Sequence, residues 1–411
     1  MRCNFELSML QIVKVSVERP TLPSLIPYRR IAVVAIGLAI LIARSPQSFL
    51  APEFYAEDGV LFQDAYNDGF HSLIAPLMGS LHFYGYVVAK LAVMTPLTAV
   101  PRIQAYGGLA AFAITMWIVT SPRFQAPYRP LLALALACAP AAFEIIGVLI
   151  NSDWVLPIGV FALLFSDPAD EKRTLYAEMA FVFVAGLSGP TGIFLLPLFV
   201  WQSAVAHGEA RRRLVILSAV LAITSAVQLA LLVQATSFVM AHVQPAPYSK
   251  LLWASMPIRW LDAIWPFHLK WIGFGWRAIT IVASVAVAAI CFSLVPSRRD
   301  LKVAMIFFAT VVLVTGMLKY RADLGTVAEA CGRYFYAGSV FFFWFLCLAA
   351  ERFSRFGNVF LLACCLSMAK GAAVYLVNRP VSPVPFSSYL SQRGYVLIVI
   401  APDRWEIMIK R

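Results

Sequence analysis

The sequence predicts an all-α polytopic membrane protein of about 11–12 transmembrane helices, and three observations carry that reading. Hydrophobic residues make up 61% of the 411 positions and charged residues 13%, against roughly 45–50% and about 25% in a soluble domain. Apolar runs of about 17–25 residues, the length that crosses a bilayer, recur along the whole chain. The weak alternation of a membrane barrel is missing. Helices and closed barrels alone satisfy every backbone polar group in lipid, so the runs are assigned to helices. The net charge of +12 falls in the segments between apolar runs, as the positive-inside bias requires, and nucleic acid is not expected as a partner.

Residues 1–30 are mixed and basic, with Lys14, Arg19, Arg29 and Arg30. They precede a full-length apolar run and are read as a cytoplasmic tail, not a cleaved leader. Residues 31–377 form the membrane domain, with apolar segments near 31–49, 82–100, 103–120, 130–150, 154–166, 174–188, 190–207, 212–236, 276–296, 303–320, 334–350 and 357–377. Basic clusters at Arg123/Arg129, Lys172/Arg173, Arg211-Arg212-Arg213, Arg298/Arg299/Lys302 and Arg352/Arg355 mark the cytoplasmic side. Residues 51–81, 151–153, 188–190, 237–275, 321–333 and 378–411 then face outward. That sidedness needs an even number of crossings between residues 58 and 151. The 82–100 run is therefore assigned as re-entrant or interfacial: Pro96 breaks it, and Lys90 at the centre of a crossing would cost about 2.5–3.5 kcal/mol.

The first outer loop, 51–81, contains a short helix over 59–70, where Leu61 pairs with Ala65 and Phe62 with Tyr66 at i, i+4. It is expected to lie in the membrane plane, apolar side down. The second outer segment, 237–275, mixes Trp253, Trp260, Trp265 and Trp271 with Lys250, Arg259 and Lys270. It reads as an aromatic belt or as a lid whose rings stack on sugars. Residues 378–411 end in two strand-like runs around a turn at 401–404, a small outward-facing β appendage. The seven cysteines lie mostly inside apolar runs and show no metal-ligand spacing.

Four polar groups fall on the outer side under this threading. Glu57-Asp58 follows the first apolar segment, where carboxylates at the lipid edge are costly unless paired or used. His82-Phe83-Tyr84 has Lys90 behind it, and Asn151-Ser152-Asp153-Trp154 has Glu144 two helical turns earlier. Arg333-Tyr334 immediately precedes an apolar run, and Ser188-Gly189-Pro190 makes a non-helical turn. Acids, an imidazole and cations on one side suit transfer from a phosphate-activated donor. A carboxylate takes the proton of an acceptor hydroxyl; Arg333, Lys90 or a divalent metal neutralises the departing phosphate. Two other classes share the multi-spanning pattern: a lipid or oligosaccharide flippase or transporter, and a polysaccharide polymerase or acyltransferase.

The motif Ala56-Glu57-Asp58-Gly59 after an N-terminal helix, the loop helix, Asn151 to Trp154 and Ser188-Gly189-Pro190 resemble the membrane glycosyltransferases of the C-type (GT-C) superfamily, in particular a bacterial branch. The resemblance implies a polyprenyl-phosphate-linked sugar as donor, a glycan or lipid acceptor of the cell envelope, and inverting transfer. It also implies a multi-pass location in the bacterial inner (cytoplasmic) membrane with the active site on the far face. By the same carry-over Asp58 is the catalytic acidic residue, acting as base, with Glu57 supporting it or joining it at a divalent metal. The substrate-binding candidates are His82, Tyr84, Lys90, Asn151, Asp153, Trp154, Arg333 and Tyr334. The Lys-Pro-Pro signature of some relatives is replaced here by Met78-Gly79-Ser80-Leu81-His82.

Overall fold

The computed structural model describes residues 26–77, 79–140, 144–169, 171–240, 298–319, 332–353, 355–374, 376, 384–401 and 405–410. The expected outer segment beyond residue 240, the crossing near 276–296 and the tail before residue 26 lie outside them. The described chain is mostly helical. Four of its helices, Leu97–Val119, Gly208–Ala235, Arg333–Arg352 and Gly357–Val374, are long and apolar enough to cross a membrane.

Contacts fix the helix directions. α1 (Ile26–Arg44) starts beside the end of α5 (Val100–Val119), where Arg30 donates to the Trp117 carbonyl at 2.7 Å. It ends beside α6 (Arg129–Cys138), where the buried Arg44 donates to the Ala137 and Ala139 carbonyls at 2.6 and 3.0 Å. Those carbonyls end α6 without intrahelical partners, and a guanidinium matches both their hydrogen-bonding need and the negative end of the helix dipole. α7 (Leu156–Leu164) returns to the first end, where the backbones of Gln125 and Phe165, and of Asp167 and Arg123, hydrogen-bond at 2.9 Å. α8 (Lys172–Gly186), α9 (Thr191–Val205) and α10 (Gly208–Met240) follow as a packed trio. α11 (Arg299–Lys319), α12 (Tyr336–Arg352) and α13 (Gly357–Val374) close the bundle, and Trp344 and Tyr336 of α12 donate to the Leu132 and Leu136 carbonyls of α6. Gly371 of α13 lies flat against the Cys138 carbonyl, where a Cβ would collide with backbone.

The bundle therefore has two chemically distinct ends. One gathers Arg123, Arg129, Arg213 and Arg298, with Glu178 held between Arg123 at 2.7 Å and Arg213 at 2.6 Å. The other gathers the acidic loop, the 144–154 stretch, the Ser188-Gly189-Pro190 turn and Arg333.

Three expectations change. The apolar run at 130–150 is not one long helix. α6 stops at Cys138, and the chain continues through Gly147 (φ 67°) into a 3-10 turn at Ile150–Trp154. Ile145, Ile146, Val148 and Leu149 are fully buried there, so protein, not lipid, surrounds this irregular backbone and supplies its hydrogen bonds. α4 (Phe83–Val93) has 11 residues and ends before Pro96, the break marked in the sequence, and α5 takes over after it.

α3 (Glu57–Asn67) is a helix as expected, but its apolar side does not lie open toward a membrane. Leu61 and Ala65 pack with Tyr86 and Ala89 of α4, and Phe62 stacks on Phe54 at 4.7 Å with Phe386 edge-on. The antiparallel hairpin of β1 (Tyr395–Ile400) and β2 (Trp405–Lys410) forms as read, yet it is no free appendage. Val396, Ile398, Ile400, Ile407 and Ile409 turn inward onto the acidic loop. An edge strand leaves its N–H and C=O row unpaired, and α3 answers that need. Gln63 accepts the Met408 N–H at 2.6 Å, while Asn67 donates to the Met408 carbonyl at 2.9 Å and accepts the Lys410 N–H at 3.2 Å.

Candidate functional site

The acidic loop reaches its position through a strained residue. Ala56 has φ 47° and ψ −127°, a conformation L residues rarely adopt, and its N–H donates to the Ala401 carbonyl at 2.6 Å. α3 begins at the next residue, so Glu57 and Asp58 occupy its first turn, where the helix dipole favours negative charge.

Asp58 is buried, and its two oxygens accept the backbone N–H groups of Leu149 and Ile150, each at 2.9 Å. These open the 3-10 turn that carries Asn151, Ser152, Asp153 and Trp154. The carboxylate thus caps that turn and ties together two segments 91 residues apart, while Gln104 donates to the Asp58 carbonyl. Glu57 points elsewhere. Its carboxylate lies 4.0 Å from the Arg333 guanidinium, which stands equally far from Glu144; the Arg333 N–H also donates to Glu144 at 3.2 Å. Arg333 sits in a 3-10 turn, Gly332–Phe335, leading into α12. Trp154 and Tyr334 meet edge to face with centroids 4.8 Å apart, and Asn151 donates to the Glu144 carbonyl at 2.8 Å. Glu57, Asp58, Glu144, Asn151, Trp154, Arg333 and Tyr334 therefore form one cluster.

A second cluster adjoins it through the same turn. His82 precedes α4, with Nε2 3.0 Å from the Ser80 hydroxyl and Nδ1 3.9 Å from Asp153. His82, Ser80 and Asp153 are all buried. Gly189 (φ 133°) presses on Asp153, where a Cβ would sit 2.7 Å from the aspartate Cβ; only glycine fits both the angle and the space. Thr191 donates to the Asp153 carbonyl at 3.2 Å. The predicted non-helical turn at Ser188-Gly189-Pro190 is thus the floor under His82 and Asp153.

Two candidates stand apart. Tyr84 is a packing link: its N–H donates to the Ser188 hydroxyl at 2.9 Å and its own hydroxyl to the Gly107 carbonyl at 2.7 Å. Lys90 donates to the Ala65 carbonyl at 3.3 Å, near the far end of α3, and lies over the Phe70 ring. At about 1.5 Å per residue that is roughly 10 Å along the helix from Asp58. A lysine there satisfies a terminal carbonyl and the negative dipole end. Ser80 and Gln228 were not among the sequence candidates. Gln228, fully buried in α10, exchanges two 2.9 Å bonds with the Leu81 backbone and holds the strand leading to His82. A glutamine inside an apolar run was the available signal for it.

No family model matches the chain, and neither a curated protein nor a solved structure matches it. The GT-C resemblance accordingly rests on the short motifs alone.

The donor set does not suit the divalent metal that the acidic pair suggested. Both Asp58 oxygens receive backbone N–H groups and Glu57 faces a guanidinium. Among the described residues no three His, Cys, Asp or Glu side chains converge on a metal-sized position.

Proposed function

We propose that this chain is a polytopic membrane glycosyltransferase that moves a sugar from a polyprenyl-phosphate donor to a cell-envelope acceptor. On this reading the acidic end of the bundle faces away from the cytoplasm, in a bacterial inner membrane, and the arginine-rich end faces in. The observation that carries it is the cluster at the acidic end: carboxylate, guanidinium and an aromatic pair, Glu57, Arg333 and Trp154–Tyr334, side by side.

On this reading the two residues of the acidic pair take different roles, and the base is Glu57 rather than the Asp58 expected from the resemblance. Asp58 is a positioning residue, since its oxygens hold the Leu149–Ile150 backbone. Glu57 is the proton acceptor. As the acceptor hydroxyl attacks the anomeric carbon, its proton passes to Glu57, the new C–O bond forms, and the bond to the donor phosphate breaks with its electron pair left on phosphate oxygen. Arg333 takes up that charge by turning from the two carboxylates it now bridges; a fork of N–H donors suits phosphate in both geometry and charge. Trp154 and Tyr334 supply the flat apolar faces for a sugar ring.

The test uses purified protein in lipid nanodiscs with a panel of radiolabelled polyprenyl-phosphate sugars and envelope acceptors. Glu57→Gln should lower transfer by about 10²–10⁴-fold, the usual contribution of a general base, with expression and melting temperature retained. Absence of transfer by the wild type across the panel, or a fully active Glu57→Gln protein, would reject the proposal.

A further inference from the structure

A cavity of about 220 Å³ opens at the arginine-rich end, opposite the acidic cluster, lined by Arg29, Arg30, Val33, Thr120, Pro122, Arg129 and Pro130. Three guanidinium-bearing residues therefore share one small space, and among the described residues no carboxylate lines it. The nearby acids are committed elsewhere: Glu178 to Arg123 and Arg213, and the Asp167 side chain to Gln125. What holds the like charges together is backbone. Arg129 donates to the Ser121, Pro122 and Phe124 carbonyls just past the end of α5. Arg30 donates to the Trp117 carbonyl and lies 3.8 Å from the centre of the Trp117 ring. These contacts fix the heads but use few of their five N–H groups each. The Arg30 Nε–H is buried with no hydrogen-bond partner among the described residues.

We infer that this cavity is a binding site for the headgroup of an anionic phospholipid. The space is smaller than the roughly 300–1,000 Å³ of ordinary small-molecule pockets, which suits a headgroup better than a whole substrate. Its walls are mixed: Val33, Pro122 and Pro130 beside the arginines give apolar surface for the glycerol region and cations for the phosphate. Free phosphate would use only the cations. Trp117, half-exposed under Arg30, is the residue type that settles at the headgroup level of a bilayer. Basic pockets between helices on the cytoplasmic side attract anionic leaflet lipids for the same electrostatic reason. The inference rests on the reading of the chain as membrane-embedded with this end inward; it does not depend on glycosyl transfer.

The experiment is native mass spectrometry of the full chain released from nanodiscs of phosphatidylcholine, with or without phosphatidylglycerol, paired with melting curves. The wild type should retain phosphatidylglycerol at least tenfold over phosphatidylcholine and melt at a higher temperature in its presence, while millimolar inorganic phosphate does neither. Arg29→Gln with Arg30→Gln should abolish both effects. Arg30→Lys, which keeps the charge but loses the fork, should weaken retention several-fold with folding intact. Equal retention of the two lipids by the wild type, unchanged retention in the double variant, or the same stabilisation by inorganic phosphate would each overturn the inference. Loss of sugar transfer in Glu57→Gln leaves these readouts untouched, so the two proposals fail separately.

Discussion

Asp58 and Glu57 are neighbours in sequence with different work to do. Asp58 satisfies two buried N–H groups at once, and leaving a buried donor unpaired costs about 1–3 kcal/mol. Asp58→Ala should therefore lower the melting temperature clearly, and Asp58→Asn, which keeps one acceptor, should lower it less. Glu57→Ala, with its partner Arg333 still facing Glu144, should change it little. Equal destabilisation by Asp58→Ala and Glu57→Ala would refute the division of roles. Gly189 is a third residue read at this scale. Glycine at φ 133° against Asp153 leaves no room for a side chain, and Gly189→Ala should displace Asp153 and weaken the proposed sugar transfer without unfolding the bundle; a crystal or cryo-EM structure with Asp153 unmoved would contradict that.

At the scale of elements, the hairpin and the acidic loop form one unit. Besides the strand-edge bonds from Gln63 and Asn67, Glu53 accepts the Phe386 N–H at 3.2 Å. Burial pushes the Glu53 carboxyl above its ordinary value of 4.5, and the Phe386 bond offsets part of that. Because the folded state holds this proton more tightly than the unfolded chain, the contribution to stability is greatest below the ordinary value. It falls as pH rises through the raised one. Limited proteolysis of the C-terminal segment should thus speed up between acidic and neutral pH. Glu53→Gln keeps an acceptor for Phe386 and removes the titration, so its cleavage rate should not vary over that interval. A wild-type rate independent of pH would sink this account. The strands themselves were legible from alternation, since Val396, Ile398 and Ile400 fall on one face. The surface they cover was not, because the contacts join residues more than 300 positions apart.

For the whole molecule, the partition into a basic end and an acidic end matters most. The described basic clusters fall together as the linking segments of the sequence suggested, and Glu178 fixes that end. It is buried between Arg123 and Arg213, and Arg213 also donates to the Leu163 and Ser166 carbonyls. Removing one partner of a buried ion pair costs about 3–5 kcal/mol, so Arg213→Ala should reduce folded yield sharply. Sidedness has a direct check. Single cysteines at Asp68 and Gln392 should react with an impermeant thiol reagent from outside intact cells, and one at Lys172 only after permeabilisation. The opposite pattern would remove the basis for a far-leaflet lipid donor.

Composition and periodicity alone determined the helical class, the acidic motif, the break at Pro96 and the hairpin, because each is written in local hydropathy and spacing. Tertiary structure alone decided that α3 is buried on its apolar side, that the 130–150 run breaks at Cys138, that Lys90 caps a helix, and that Asp58 holds a backbone while Glu57 faces Arg333. The physical reason is common to all four. An apolar run carries no mark of whether lipid or protein will cover it, and a charged side chain carries no mark of which distant N–H or guanidinium will reach it first.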